Sequence, residues 1–282
     1  MKAIARIYFF SFSILAVSTS LAFPPAPSYT LFGIVRDQVG QTLDVEGAAL
    51  ILLKGTEEVG RTPISSLRID QNYEMKIRID ANRPSTQIYN VSAIAAGGLF
   101  NLAVEMNGSR FYPIEVSTGL LNAGKGGERV RLDLNLGADS DGDGLPDVWE
   151  QWQLYQAGHD PDENGVWDIS LINRDGDFDK DGVSNWLEYI AGTFAGDATE
   201  RFDLEIKEKA ESYVSFEVYA ITGKTYTIES RTEEDAAWKR VPLSPGETGD
   251  RAQSFTADTV GIQTIYCDPA GTGTELFRLT VR

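Results

Sequence analysis

The sequence predicts a mainly β protein, with two β-sandwich domains joined by a small loop-helix segment. Three observations carry this. Residues 29–136 and 201–282 each contain about seven short runs rich in β-branched and aromatic residues, separated by Gly, Pro, Asn and Asp. Between them lies a segment of different composition, Asp139 to Glu188, with 11 Asp and 3 Glu against Arg174 and Lys180. Proportions of 42% hydrophobic and 24% charged residues over 282 positions are those of a globular chain and leave room for more than one domain.

In chain order, residues 1–22 read as a secretory signal peptide. Lys2 and Arg6 give a positive start, Ile7 to Val17 an apolar run, and Ser20-Leu21-Ala22 the small residues that a signal peptidase needs, with cleavage between Ala22 and Phe23. An uncleaved anchor is the alternative, but the run is shorter than the roughly 20 residues of a bilayer span. The expectation is a product outside the cytoplasm with no membrane span after cleavage.

The first sandwich is expected over 23–137. Its strands are Thr30 to Val35, Ala48 to Leu53, Tyr73 to Ile79, Ile88 to Ala95, Leu99 to Met106, Phe111 to Val116 and Val130 to Leu136, with turns at Asp37 to Gly40 and Asn107-Gly108. Val130, Leu132, Leu134 and Leu136 alternate with polar residues, as in a strand with one buried face. No helical period is visible in this section. The second sandwich is expected over 199–282, with strands Phe202 to Ile206, Tyr213 to Tyr219, Thr225 to Ser230, Trp238 to Val241, Gln253 to Ala257, Ile262 to Cys267 and Glu275 to Val281.

The intervening segment, 138–198, carries the chemistry. Its acidic window has a net charge of −12 out of the chain's −17, so the flanking sections are close to neutral. Asp139-Ser-Asp141-Gly-Asp143-Gly144-Leu145-Pro-Asp147-Val-Trp-Glu150 places carboxylates at loop positions 1, 3, 5, 9 and 12 and Gly at position 6. Asp177-Phe-Asp179-Lys-Asp181-Gly182-Val183-Ser-Asn185-Trp-Leu-Glu188 repeats the pattern 38 residues later with an amide at position 9. This is the spacing of a calcium loop: alternate Asp converge when the chain curls, Gly takes the positive φ of the turn, and a Glu closes the shell with two oxygens. The expected ligands are Asp139, Asp141, Asp143, the Leu145 carbonyl, Asp147 and Glu150 for one ion, and Asp177, Asp179, Asp181, the Val183 carbonyl, Asn185 and Glu188 for the second, so about two Ca²⁺.

Each loop runs into a helix. Asp147 to Gln156 sets Val148, Trp152 and Tyr155 near one face; Asn185 to Ala191 does the same with Trp186, Tyr189 and Ile190, and Gly158 and Gly192 stand at the C-terminal caps. Asp160-Pro-Asp162-Glu-Asn164-Gly165 begins like a third loop but has Leu171 where the closing Glu belongs, and reads as a turn. An acidic linker is the alternative to ion binding. Against it stand Trp149, Trp152, Trp167 and Trp186, four of the five Trp, in a window that a linker would leave poor in aromatics; they are expected to form a minimal core.

The Asp-Gly-Leu-Pro-Asp-x-Trp-Glu ending of the first loop resembles the bacterial thrombospondin type 3 repeat and, more loosely, dockerin loops; both imply the ligands named above. Phe32-Gly-Ile-Val-Arg-Asp resembles the opening strand of carboxypeptidase-regulatory-like or transthyretin-like sandwiches, and the tail, with Gly223-Lys-Thr-Tyr-Thr-Ile, Trp238 and Leu276-Phe-Arg-Leu, resembles fibronectin-type or Ig-like modules.

Other chemistry is excluded or thin. One Cys and one His rule out an internal disulfide and multi-thiolate or multi-imidazole metal sites. Cys267 reads as a buried strand residue and His159 as a helix-end residue. Gly119 to Gly126 falls short of a phosphate loop because Gly126 stands where Ser or Thr is needed. Nucleic acid is not expected to bind so acidic a chain. Asn90 and Asn107 sit in glycosylation sequons. With no catalytic constellation found, the expectation is a non-enzymatic secreted protein of the adhesion or structural type, with an extracellular protein or glycan as partner. The alternative is an accessory carbohydrate-binding or glycan-processing protein.

Overall fold

The computed structural model describes residues 26–282 except 66, 67, 69, 81–89, 118, 233–236 and 269–274. The expected leader, and the first two residues of the expected strand Ile88 to Ala95, lie outside the described residues. The fold is mainly β, as expected.

The N-terminal section contains β1 (Tyr29–Gly33), β2 (Val35–Arg36), β3 (Ala49–Lys54), β4 (Glu57–Pro63), β5 (Tyr73–Ile77), β6 (Ile79–Asp80), β7 (Ile94–Ala95), β8 (Leu99–Met106) and β9 (Ser109–Phe111), then helix α1 (Ile114–Ser117), β10 (Leu121–Asn122), β11 (Arg129–Arg131) and β12 (Leu134–Asn135). One sheet runs β11-β1-β5 and another β10-β8-β3-β4 with β9 on β8, while β2 pairs with β12 and β6 with β7. Tyr29, Leu31 and Gly33 alternate inward along β1, and one hydrophobic cluster takes Leu31, Met75 and Ile77 from the first sheet and Leu50, Leu52, Leu102 and Val104 from the second. β3 is buried on both faces, since Ala49, Ile51 and Leu53 form a second cluster with Ala103. The β8–β9 hairpin turns at Asn107 and Gly108, with φ of 50° and 77°, the left-handed pair that Asn-Gly supplies at least strain.

Several expectations change here. The strand expected over Phe111 to Val116 ends at Phe111, and a single helical turn, α1, follows. Pro113 cannot donate to a ladder, and its carbonyl instead accepts from Val116 N at 3.1 Å. The strand expected over Val130 to Leu136 divides into β11 and β12, both parallel to their neighbours. At the break Asp133 accepts the Ile34 N–H through its side chain at 3.1 Å, and Val130 is exposed where the alternation put it inside. Gly33 is obligatory beside that break, because a Cβ there would lie 2.2 Å from the Leu132 carbonyl oxygen. β4 was not expected at all. It is a charged edge strand from which only Val59 packs on the core, and its pairing with β3 places it, not an apolar pattern.

The C-terminal section contains β13 (Glu205–Lys209), β14 (Val214–Ala220), β15 (Thr225–Arg231), β16 (Lys239–Val241), β17 (Leu243–Ser244), β18 (Phe255–Thr256), β19 (Gly261–Cys267) and β20 (Leu276–Val281). Its sheets run β13-β14-β19-β17 and β16-β15-β18 with β20 on β15. Phe216, Val218 and Ile265 of one meet Tyr226 and Ile228 of the other in a single cluster. Phe202 and Leu204, expected to open the first strand, pack on that cluster ahead of β13 without joining a ladder. Cys267 is buried, and burial pushes its thiol pKa up to about 12, so it behaves as an inert core residue.

Between these sections stand α2 (Asp147–Gln156), a 3-10 turn at Ile169–Leu171 and α3 (Asn185–Ala191), the two helices matching the expected spans. α2 ends on a left-handed Gly158, with His159 N donating to Leu154 O and Gly158 N to Tyr155 O, which satisfies carbonyls that the helix leaves open. α3 starts at Ser184, whose hydroxyl accepts from Leu187 N, and ends at Gly192 with φ of 82°. A small core of Leu145, Trp149, Leu154, Ile172, Tyr189 and Ala195 holds the helices together.

The face of α2 is a correction. Val148, Trp152 and Tyr155 point to solvent, and Trp149, Glu150, Gln153 and Leu154 point inward. The helix is turned by its carboxylate: Glu150 must face the preceding loop, and Trp149 and Leu154 then face the core. Trp152 therefore stands outside the core expected of four Trp, whereas Trp149 is buried and Trp167 and Trp186 pack against it. On α3, Tyr189 is fully buried, as expected, stacked on Trp186 and edge-on to Trp149.

Two contacts fix this segment to its neighbours. The Tyr189 hydroxyl donates to Asp37 O at 2.9 Å. The buried Lys224 Nζ donates both to Gly40 O at 2.8 Å and to Ile190 O at 2.7 Å, joining the three sections at one atom. No helix among the described residues is long and apolar enough to cross a membrane.

Candidate metal centre

The two acidic loops adopt the same backbone path. At position 4, Gly142 and Lys180 have φ of 79° and 66°; at position 6, Gly144 and Gly182 have 96° and 97°. Lys180 is one of only two non-Gly residues with positive φ among the described residues, and it takes a conformation that ordinarily costs a side chain about 1 kcal/mol. The loops hold it there with matched hydrogen bonds.

At position 1, Asp139 accepts from Gly142 N at 2.8 Å and Gly144 N at 3.1 Å, and Asp177 from Lys180 N at 2.7 Å and Gly182 N at 3.0 Å. At position 3, Asp141 accepts from Asp143 N at 3.3 Å and Asp179 from Asp181 N at 3.1 Å. At position 5, Asp143 and Asp181 accept from Leu145 N and Val183 N, both at 2.7 Å. At position 1 both oxygens of Asp139 and Asp177 take part in curling the chain, and Asp143 uses its second oxygen to accept from Arg174 N, whereas Asp141, Asp179 and Asp181 each use one oxygen and leave the other unbonded. In each triplet, Asp139, Asp141 and Asp143 or Asp177, Asp179 and Asp181, carboxylate oxygens lie within 4.8 Å of one another, close enough for a metal ion to bridge them.

The closing residues lie beside these triplets, outside the 4.8 Å groups themselves. Glu150 and Glu188 are both 0% exposed, yet all four of their carboxylate oxygens lack a hydrogen-bond partner, as do Asp179 Oδ2 and Asp181 Oδ2. Arg201 Nε approaches Asp181 Oδ2 only to 3.7 Å, too far for a hydrogen bond. Burial, and then Asp141, Asp143, Asp147 and Asp139, push the Glu150 pKa up to about 9. Burial, followed by Asp179, Asp181 and Asp177, raises Glu188 to about 8. Asp141 and Asp179 are also raised, first by burial. Buried carboxylates are normally paired or hydrogen-bonded, and two like charges this close repel by about 3 kcal/mol at an effective dielectric near 20. A bound cation relieves both costs at once. The donor set is all oxygen, which suits hard divalent ions.

The position-9 residues, Asp147 and Asn185, also brace their loops. Both Asp147 oxygens accept from Ser140, at 2.7 Å from N and 2.6 Å from Oγ. Asn185 Oδ1 accepts from Phe178 N at 3.0 Å, and its amide donates to Asn173 O at 2.7 Å. Each therefore ties the start of its loop to the start of its helix. The Leu145 and Val183 side chains are buried, anchoring position 7 of each loop in the core.

Arg174 joins the two loops and was not singled out in the sequence. Its N–H donates to Asp143 Oδ2 at 2.6 Å, its carbonyl accepts from Trp186 N at 3.0 Å, and its guanidinium lies 3.6 Å above the Trp186 ring. As the only Arg in an acidic window, it was the signal available. The third acidic motif forms a turn: Asp162 accepts from Asn164 N and Val166 N, both at 2.8 Å, on an exposed loop. His159, past the end of α2, packs against the Phe178 ring.

No family model, no curated protein and no solved structure matches this chain.

Proposed function

We propose that the chain is an extracytoplasmic, calcium-stabilised structural protein of the adhesion type. Ca²⁺ bound at the two loops rigidifies the segment between the flanking β sections, in the manner of a thrombospondin type 3 repeat. The observation that carries this reading is the pair of fully buried glutamates, Glu150 and Glu188, each without a hydrogen-bond partner and near enough to the Asp carboxylates of its own loop for them to raise its pKa. A cation at each loop supplies the missing counter-charge, and calcium suits a flexible loop of Asp, main-chain and bidentate Glu oxygens. No disulfide staples the chain, so ions supply an alternative source of stability. Calorimetric titration of metal-stripped protein with CaCl₂ should give two sites; absence of binding at millimolar Ca²⁺ would sink the proposal.

One observation favours a second reading, a glycan-binding accessory protein. Trp152 and Tyr155 are 53% and 59% exposed with ring centroids 6.2 Å apart, and Tyr155 meets Trp167 edge-on at 6.5 Å. Exposed rings with one apolar face suit stacking on sugars. Glycan-array binding that is lost in Trp152→Ala would support this role; an unchanged array profile would remove it.

A further inference from the structure

A second site lies far from the acidic loops in character. A cleft of about 300 Å³ opens between the N-terminal section, at Ile34, Asp70 and Arg131, and the face of the β16-β15-β20 sheet. That volume is at the lower bound of small-molecule pockets. Four arginines line it, Arg131, Arg240, Arg278 and Arg282, against two carboxylates, Asp70 and Glu229. In a chain of net charge −17 this is a local excess of positive charge.

The sheet register explains how the wall is built. Glu229 stands opposite both Arg240 and Arg278, and Thr227 opposite Thr280, so charges and hydroxyls alternate down one face. Arg278 is held by Glu229 through Nε at 2.8 Å and Nη2 at 2.5 Å. Arg131 is held by the Asp70 carbonyl at 3.0 Å and by Asp133 at 3.1 Å. Arg240 is different: its nearest carboxylate is Asp70 at 3.7 Å, beyond hydrogen-bonding distance. With its side chain about one-third exposed, its guanidinium fork remains available to a ligand in the cleft.

We propose that this cleft binds a small hydroxylated carboxylate, of the class of a uronic acid. Arg240, with Arg131 across the cleft, takes the carboxylate, and Glu229 and Asp70 take the sugar hydroxyls, with the Thr225 and Thr280 hydroxyls, already bonded to Thr256 and Thr227, as additional acceptors. The mixed lining decides the class. Glu229, held by Arg278, and the half-exposed Asp70 disfavour a bare dianion such as sulfate or phosphate, but they accept hydrogen bonds from hydroxyl groups, and a neutral sugar leaves the cationic excess unused.

The test is calorimetric titration of the full chain, in calcium-containing buffer, with D-glucuronate, D-glucose and sulfate. D-glucuronate should bind in the millimolar range, more tightly than either comparison ligand, and Arg240→Ala and Arg240→Gln should each weaken it roughly tenfold without moving the melting temperature. No heat with D-glucuronate, equal binding of sulfate or glucose, or full affinity in both variants would overturn the proposal. None of these outcomes depends on the metal loops.

Discussion

Glu150→Gln is the sharpest test of the metal centre. Glu150 is fully buried, neither carboxylate oxygen has a partner, and four Asp surround it. With its pKa pushed up to about 9, the metal-free residue carries a proton at pH 7, and removing that proton costs about 3 kcal/mol, two pKa units at 1.36 kcal/mol each. Calcium binding must supply that energy and release the proton, so apparent affinity at this loop should rise roughly tenfold per pH unit between about 6 and 8. Glutamine matches the protonated side chain in size and charge, so the metal-free variant should fold. In the metal-free wild type the raised pKa makes stability fall as pH climbs from 4.5 towards 9, because the folded state holds the proton more tightly than the unfolded one. The variant should lose the Glu150 share of that slope and keep the part up to about pH 8 that Glu188 contributes.

With Ca²⁺ a hundredfold above its dissociation constant, one site contributes about 2.7 kcal/mol. At roughly 2 to 4 °C per kcal/mol for a chain of this size, Glu150→Gln should remove about 5 to 10 °C of the calcium-induced rise in melting temperature. Scanning calorimetry with and without CaCl₂ reads this directly, and titration should fall from two sites to one. A calcium-induced shift equal to wild type, with two sites retained, would refute the role given to Glu150.

Three further outcomes are expected. Gly144→Ala and Gly182→Ala should each weaken their loop by about 1 to 2 kcal/mol, because both replace Gly at φ of 96° or 97°; at Gly144 the new Cβ would in addition push the Arg174 guanidinium aside, and calcium titration of both variants reads the two losses. Lys224, whose pKa is lowered to about 7 by burial and then by Arg36, binds a proton less readily folded than unfolded. Its contribution to stability should therefore rise with pH from about 7 to 10.5, and urea denaturation at pH 6 and pH 9 should show wild type gaining on Lys224→Met at the higher pH. Trp149→Ala should cost about 3 to 5 kcal/mol and Trp152→Ala less than about 0.5 kcal/mol, measured by the same denaturation.

What was legible in the sequence was whatever depends on local chemistry. The spans of α2 and α3, the left-handed Gly158 and Gly192, the turn at Gly144 and Gly182 and the convergence of three Asp in each loop all follow from residues within a dozen positions of one another. Strands with an apolar alternation, such as β1, β8 and β14, were also legible. Where the apolar pattern was absent or broken, the reading failed: β4 is polar, α1 follows a proline, and Asp133 interrupts an alternation that otherwise looks continuous.

The sequence by itself determined a mainly β chain with two oxygen-rich loops, because strand alternation and loop curling are set by side chains a few residues apart. Only the tertiary structure decided which groups lost their water. Packing left Glu150 and Glu188 buried with no partner, turned Trp152 outward, placed Arg174 between the loops and drew four arginines around one cleft. Desolvation and long-range pairing depend on neighbours far away in the chain, and a linear pattern does not carry that information.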